Sequence, residues 1–215
     1  RPFHGKPLVY LDSAVSGLMP SAVNERIAHY QAYEHTNVHR GVSTLSQEAT
    51  DRFEEAREKV RSFLNAHSAK QIVWTRGTTE SINLVAWSYG RKFLKPGDEI
   101  LITALEHHAN IVPWQLIAEE RGAKLKVIPV GDDGDLLLDE IPKLVTPGKT
   151  KIAGIAHISN TVGTENPVRE IIRRIKAISP ETVVLVDAAQ SAAHLAIDVQ
   201  DLGCDFLAFS GHKMY

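Results

Sequence analysis

The sequence predicts an α/β protein with a mostly parallel sheet flanked by helices, and three observations carry this. Short apolar runs rich in β-branched residues recur along the chain: Leu8–Leu11, Ile72–Thr75, Glu99–Thr103, Lys124–Val130, Lys151–Ile158, Thr182–Asp187 and Asp205–Ser210. Several are continuously apolar rather than alternating, the pattern of strands covered on both faces. Segments of helical period lie between them, and strands alternating with helices build parallel sheets.

Taken in order, Leu8–Leu11 reads as a first strand and Ala22–Tyr33 as a helix. Leu45, Ala49, Phe53, Ala56, Val60 and Leu64 then recur at spacings of three and four, placing one apolar stripe on a second helix. Thr44 and Gln47 stand in capping-box spacing at its start. Further helices are predicted over Thr79–Phe93, Asn110–Glu120, Asp139–Val145 and Pro167–Ile178. Pro96-Gly97-Asp98 marks a turn before a strand, and Gly122 marks a helix stop. No internal repeat or low-complexity segment interrupts this order. Residues 1–18 read as an N-terminal segment and 19–215 as one large domain. The apolar strand and short turn that end at Tyr215 lack a covering helix, so the expectation is a truncated domain whose remainder lies beyond this chain.

Lys and Arg number 24 against 26 Asp and Glu, a net charge of −2, with 43% hydrophobic and 23% charged residues among 215. This is the balance of an ordinary soluble globular protein. It provides no global positive field for nucleic acid or an anionic membrane. The single cysteine excludes an internal disulfide framework and a Cys-rich zinc site, and suits a reducing compartment. No apolar run is long enough to span a bilayer. The opening Arg-Pro-Phe-His-Gly-Lys lacks the apolar core of a secretory signal, so the expected address is cytoplasmic.

Ligands of parallel sheets bind outside the carboxyl ends of the strands, so the residues after each strand are where chemistry is sought. Arg76-Gly77-Thr78-Thr79-Glu80 opens a helix with a glycine turn and two hydroxyls, suited to a phosphate; a plain N-cap is the bland alternative. Glu106-His107-His108-Ala109-Asn110 offers an imidazole that can stack on a ring or move a proton. Adjacent histidines do not share one metal ion from a helix, and no metal site is expected. Asn160 can hydrogen-bond a ligand oxygen, or simply serve a turn. Asp187, followed by Gln190, ends a very apolar strand, where a carboxylate is expensive unless a cation such as a protonated pyridine nitrogen meets it. A helix cap is the alternative there. Ser210-Gly211-His212-Lys213 supplies an amine able to form a Schiff base, or a solvated surface lysine. Jointly, these are the parts that pyridoxal 5′-phosphate (PLP) needs. The dinucleotide Gly-x-Gly-x-x-Gly and the Walker Gly-x4-Gly-Lys patterns are both missing.

Seven stretches then resemble one known family, the class V aminotransferase-like, PLP-dependent cysteine desulfurases of the SufS/CsdA-like group. They are Tyr10-Leu-Asp-Ser-Ala, Asn37-Val-His-Arg-Gly, Thr75-Arg-Gly-Thr-Thr-Glu-Ser-Ile-Asn, Glu106-His-His-Ala-Asn-Ile-Val-Pro-Trp, Ser159-Asn-Thr-Val-Gly-Thr-Glu-Asn-Pro, Val186-Asp-Ala-Ala-Gln and Phe209-Ser-Gly-His-Lys-Met-Tyr. The resemblance implies the large domain of a fold-type-I PLP-dependent transferase. It implies that Lys213 forms the Schiff base and moves the Cα proton, that His107 stacks on the pyridine ring, and that Asp187 pairs with the ring nitrogen. By the same resemblance Gln190 and Asn160 bond near the ring hydroxyl or the substrate carboxylate, and Thr78, Thr79, Ser210 and His212 hold the phosphate. His39 and Arg40 match a loop near the active-site entrance.

The implied reaction converts L-cysteine to L-alanine and leaves sulfur as an enzyme persulfide for a sulfur-acceptor protein of iron–sulfur cluster assembly, in a homodimer. In the family, the nucleophilic cysteine and the arginine that clamps the substrate carboxylate lie beyond the position of Tyr215. The 215 residues alone are therefore expected to be inactive on L-cysteine, and Cys204 is expected to be a buried, inert thiol. Val15-Ser16-Gly17 departs from the Ala-rich loop usual after Asp-Ser-Ala. The alternatives are a selenocysteine lyase, a kynureninase- or epimerase-like PLP enzyme, and a non-catalytic scaffold of the same fold.

Overall fold

The protein is seen here as a computed structural model that describes residues 2–214. It divides into two compact units, one formed by the chain up to Glu55 together with the residues from Gly211 onward, the other by Ala56–Ser210.

In the first unit, strands β1 (Pro2–Phe3) and β2 (Lys6–Pro7) pair as an antiparallel hairpin. His4 and Gly5 make its turn with positive φ angles of 49° and 75°. The predicted strand Leu8–Leu11 does not form; the segment is irregular and exposed. The Tyr10 hydroxyl instead donates to the carbonyls of Asp12 and Ser16 at 3.0 and 2.9 Å, which ties the chain into a turn. Helix α1 (Ser21–His29) continues as a wider turn through Tyr30–Glu34. Helix α2 (Thr44–Phe63) forms as predicted, but its stripe is only partly covered: Ala49 and Leu64 are buried and Phe53 and Val60 half-buried, whereas Leu45 and Ala56 are exposed. Its cap is Ser43, whose Oγ accepts from the Ser46 N–H at 3.2 Å, while the Gln47 amide donates to Asp51. The Thr44–Gln47 capping box therefore does not form, because Thr44 already lies inside the helix and the serine before it takes the orphan donor.

The second unit is built on five parallel strands in the order β4-β3-β5-β6-β7. These are β3 (Glu99–Thr103), β4 (Lys124–Ile128), β5 (Thr150–Ala156), β6 (Val183–Asp187) and β7 (Phe206–Ala208). The helices are α3 (Thr78–Val85), α4 (Arg91–Phe93), α5 (Val112–Arg121), α6 (Ile141–Leu144), α7 (Val168–Ile178) and α8 (Val199–Leu202). Gly122 ends α5 in the left-handed conformation, as the sequence predicts.

Both faces of the sheet are covered. Leu101, Ile155, Val184 and Val186 pack on one side with Ile141 of α6 and Ile171, Ile172 and Ile175 of α7. Ile100, Ile102, Ile152 and Leu185 pack on the other with Ile82 of α3 and with Trp114 and Ile117 of α5. Successive residues of one strand thus enter opposite cores, which is why the strands read as unbroken apolar runs.

The predicted strand Ile72–Thr75 is extended but joins no ladder. A cavity of about 320 Å³, lined by Ile72, Val73, Leu84, Leu185, Cys204 and Phe206 among others, lies beside it. Its polar groups are met from elsewhere: the Arg57 guanidinium donates to the Ile72 carbonyl, and the Thr75 and Ser81 hydroxyls lie 2.7 Å apart. Among the described residues, no helix is long and apolar enough to cross a membrane.

Candidate active site

Because the strands are parallel, their carboxyl ends share one edge of the sheet. Asp187 closes β6 there, 5% exposed. Its Oδ1 accepts from the Ala189 N–H at 2.9 Å, and its carbonyl accepts from the His157 N–H at 2.9 Å. This short Asx-type turn orients the carboxylate. Gln190, three residues on, is half-buried. Asn160 is exposed on the turn after β5, which Ser159 shapes by accepting through Oγ from the Thr161 and Val162 N–H groups.

His107 is exposed beyond β3 and precedes a single 3-10 turn, His108–Asn110. Its Nδ1 accepts from the Ala109 N–H at 3.1 Å, so the neutral ring carries its proton on Nε2. Directly before it, Glu106 is buried against the sheet. Glu106 Oε1 accepts from the Thr103 hydroxyl at 2.7 Å and the Ala156 N–H at 2.8 Å, and Oε2 accepts from Asn110 Nδ2 at 2.6 Å. Asn110 Oδ1 in turn accepts from the Trp114 indole N–H at 2.8 Å. Burial pushes the Glu106 carboxyl up to about 7, against the pull of those donors, and the nearby Asp187 adds in the same upward direction.

At the start of α3, Gly77 has φ 144° and offers no side chain to cap the helix. A Cβ at Gly77 would stand 3.1 Å from Ser210 Oγ, so the serine would have to give by a few tenths of an ångström, and the positive φ would strain any other residue there. Ser210 Oγ lies 2.7 Å from both the Thr78 N–H nitrogen and the Thr78 hydroxyl. Thr79 is exposed in the same first turn. Glu80 is held back by Arg76, whose backbone and guanidinium donate to it and keep its carboxyl below the usual range. A glycine turn, three hydroxyls and the start of a helix are the donor set that suits an anion.

The structure therefore brings Thr78 and Ser210 together and sets Asp187, Gln190, Asn160 and His107 at the ends of neighbouring strands. The Arg76–Glu80 station differs from expectation, since the segment before it, Ile72–Thr75, is not a sheet strand. His212 and Lys213 belong to the first unit, where they form a 3-10 turn, Gly211–Lys213, and the His212 carbonyl accepts from the Gly17 N–H at 3.3 Å. His212 is exposed and Lys213 half-buried. His39, at φ 66°, is held by Glu54 at 3.2 Å and stands edge-on to Phe53.

The only signal in the sequence for the cluster of Thr103, Glu106, Asn110, Trp114 and Gly154 is the recurrence of Glu106, Asn110 and Trp114 at a spacing of four. Among the described residues, His157 Nδ1, Asn166 Oδ1 and Ser191 Oγ are buried without a hydrogen-bond partner, and nothing in the sequence marks them. Cys204 is half-buried, and burial pushes its thiol up to about 11, in keeping with an inert thiol.

The mostly parallel five-stranded sheet flanked by helices matches the fold-type-I PLP-dependent class. The aminotransferase class-V family matches residues 9–215. The chain belongs to that family. A cysteine desulfurase of Pectobacterium atrosepticum is 52% identical over 212 residues, covering 99% of this chain and 51% of that protein. The crystal structure of the cysteine desulfurase CsdA from Escherichia coli superposes with a TM-score of 0.85 at 45% identity, covering 95% of this chain and 50% of that one. Two solved structures at 26% identity carry ligands. SspA in complex with cysteine has a TM-score of 0.86, covering 95% of this chain and 57% of that one. A C-DES mutant with glycine covalently linked to its PLP cofactor has a TM-score of 0.81, covering 94% and 52%. The chain spans about half the length of the curated relatives it matches.

Proposed function

We propose that the protein is a PLP-dependent cysteine desulfurase that converts L-cysteine to L-alanine and passes the sulfur to a thiol, and that residues 19–215 belong to its cofactor-binding large domain. The observation that carries this is Asp187, a carboxylate buried at the carboxyl end of a central strand, the edge where parallel sheets bind their ligands and where it would face the ring nitrogen. The relatives named cysteine desulfurase and the neighbour with bound cysteine support the substrate.

When bound, PLP withdraws electrons from the substrate Cα and so acidifies its proton. Asp187 holds the proton on the ring nitrogen. His107 presents its ring face to the pyridine and, through Nε2–H, a proton to the reacting groups. The hydroxyls of Thr78, Thr79 and Ser210 and the helix start bind the phosphate, with His212 completing the cradle. Asn160 and Gln190 orient the ring hydroxyl and the substrate carboxylate. Lys213 Nζ would hold the cofactor at its aldehyde, and the same amine would carry the Cα proton. The sulfur atom passes from L-cysteine to a thiolate, giving alanine and a persulfide, with the two thiol protons retained between the products. In this reading that thiol stands outside residues 1–215, and the persulfide feeds a cytoplasmic acceptor of iron–sulfur assembly from a SufS-like homodimer.

The test is alanine formation from L-cysteine by the full-length protein, with K213A and D187N alongside. Loss of borohydride labelling in K213A, and a fall of roughly 100-fold or more in D187N, are expected. Full activity in K213A would remove the proposal.

A further inference from the structure

Strand β3 ends at Thr103 and its last ladder partners are Ile102 and Gly154 of β5. The next inward N–H of β5, that of Ala156, has no β3 carbonyl to meet and is taken by the Glu106 carboxylate at 2.8 Å. Ala156 is also the residue opposite Asp187 in the β5–β6 ladder. One carboxylate therefore continues the sheet beyond β3 and fastens the His107 turn beside the strand that carries Asp187.

The bonds around it have a fixed direction. An indole N–H only donates, so Trp114 holds Asn110 Oδ1 toward itself and turns Asn110 Nδ2 toward Glu106. Thr103 and the Ala156 N–H also donate to Glu106. Asn110 and Trp114 are fully buried. The cluster lies directly on Gly154, where a Cβ would stand 2.8 Å from Trp114 Nε1 and 2.9 Å from Asn110 Oδ1. All three groups bonded to the carboxyl are donors, and burial leaves them dependent on it.

The geometry points to Glu106 as a positioning residue, whose carboxyl latches the His107 turn to β5 and so sets the imidazole against the ring that Asp187 holds. This rests on the cofactor reading above. A latch of this polarity rejects the isosteric amide. In E106Q, one NH2 must face either the Asn110 amide or the Thr103 and Ala156 donors, and Asn110 is kept from turning over by Trp114. The double variant E106Q/N110D satisfies every bond again. The new amide at position 106 then donates through its NH2 to one oxygen of the new carboxylate at position 110, whose other oxygen accepts the indole N–H.

The experiment uses the full-length protein reconstituted with pyridoxal 5′-phosphate. It reads the visible circular dichroism of the bound cofactor, the cofactor dissociation constant and the thermal midpoint of the cofactor-free protein. E106Q is expected to alter the cofactor dichroism and weaken cofactor binding by about tenfold, the scale of one buried unmatched donor. E106Q/N110D is expected to return both to the parental values. Parental dichroism and affinity in E106Q would overturn the latch, as would a double variant that regains its thermal midpoint but not its dichroism. If E106Q does not fold, the double variant decides alone, and its failure to fold counts against the proposal. Absence of any cofactor band in the unsubstituted protein would remove the cofactor reading together with this one, whereas a parental band unchanged in E106Q removes this one only.

Discussion

The hydroxyl oxygens of Thr78 and Ser210, 132 residues apart in the chain, lie 2.7 Å from each other at the start of α3. The same serine oxygen takes the Thr78 N–H, so one side chain from the end of β7 does the work of a helix cap that Gly77 lacks. The N-terminus of α3 is thus set by tertiary contact rather than by its own sequence.

Ser210→Ala is expected to leave the buried Thr78 N–H without a partner and to destabilise the cofactor-free protein by about 1–2 kcal/mol. Urea unfolding of the full-length protein checks this. An unchanged midpoint at unchanged slope would mean that another group caps α3.

Gly154→Ala places a methyl between Trp114 and Asn110, neither of which is the loose end of a flexible chain. Overpacking of this kind costs about 1–3 kcal/mol. A lowered thermal midpoint and a changed tryptophan fluorescence are expected together, since the indole loses its bond to Asn110.

Glu106 makes stability depend on pH with a definite sign. Its folded-state carboxyl titrates at about 7 against an ordinary 4.5. Between those values the folded protein binds the extra proton and the unfolded chain does not. Burial makes its contribution fall as pH rises from about 4.5 through 7, and the three donors bonded to the carboxyl oppose that fall. Unfolding free energies measured across this range should fall more steeply in the parent than in E106Q. Parallel profiles would show that the carboxyl titrates normally.

Cys204 is expected to react slowly with iodoacetamide at pH 8. A thiol titrating at about 11 instead of 9 holds about a hundredfold less thiolate. Cys204→Ala should leave alanine formation by the full-length protein unchanged; a large loss would assign the thiol a part in sulfur transfer.

Much of the fold is legible locally. The runs at Glu99–Thr103, Lys151–Ile158 and Thr182–Asp187 became β3, β5 and β6 because buried parallel strands carry apolar residues on both faces. Ile72–Thr75 has the same composition and is not a strand, since a strand also needs a neighbour and this segment has a cavity beside it. Leu8–Leu11 failed in the same way, with Tyr10 bonding into a local turn. The candidate site was legible where residue type follows a strand directly, as at Asp187 and His107. The inward-facing Glu106 was not legible, because a glutamate beside two histidines gives no hint in the sequence of which way it faces.

By itself, the amino-acid order determined which segments are buried strands, where glycine stops a helix, and which chemistry-bearing residues follow each strand. All of these depend on neighbours a few positions away. Only the tertiary structure decided that Glu106 completes the ladder of β5 and that Ser210 caps α3. Those contacts join residues 50 and 132 positions apart, and they depend on the order and register of strands, which local periodicity does not encode.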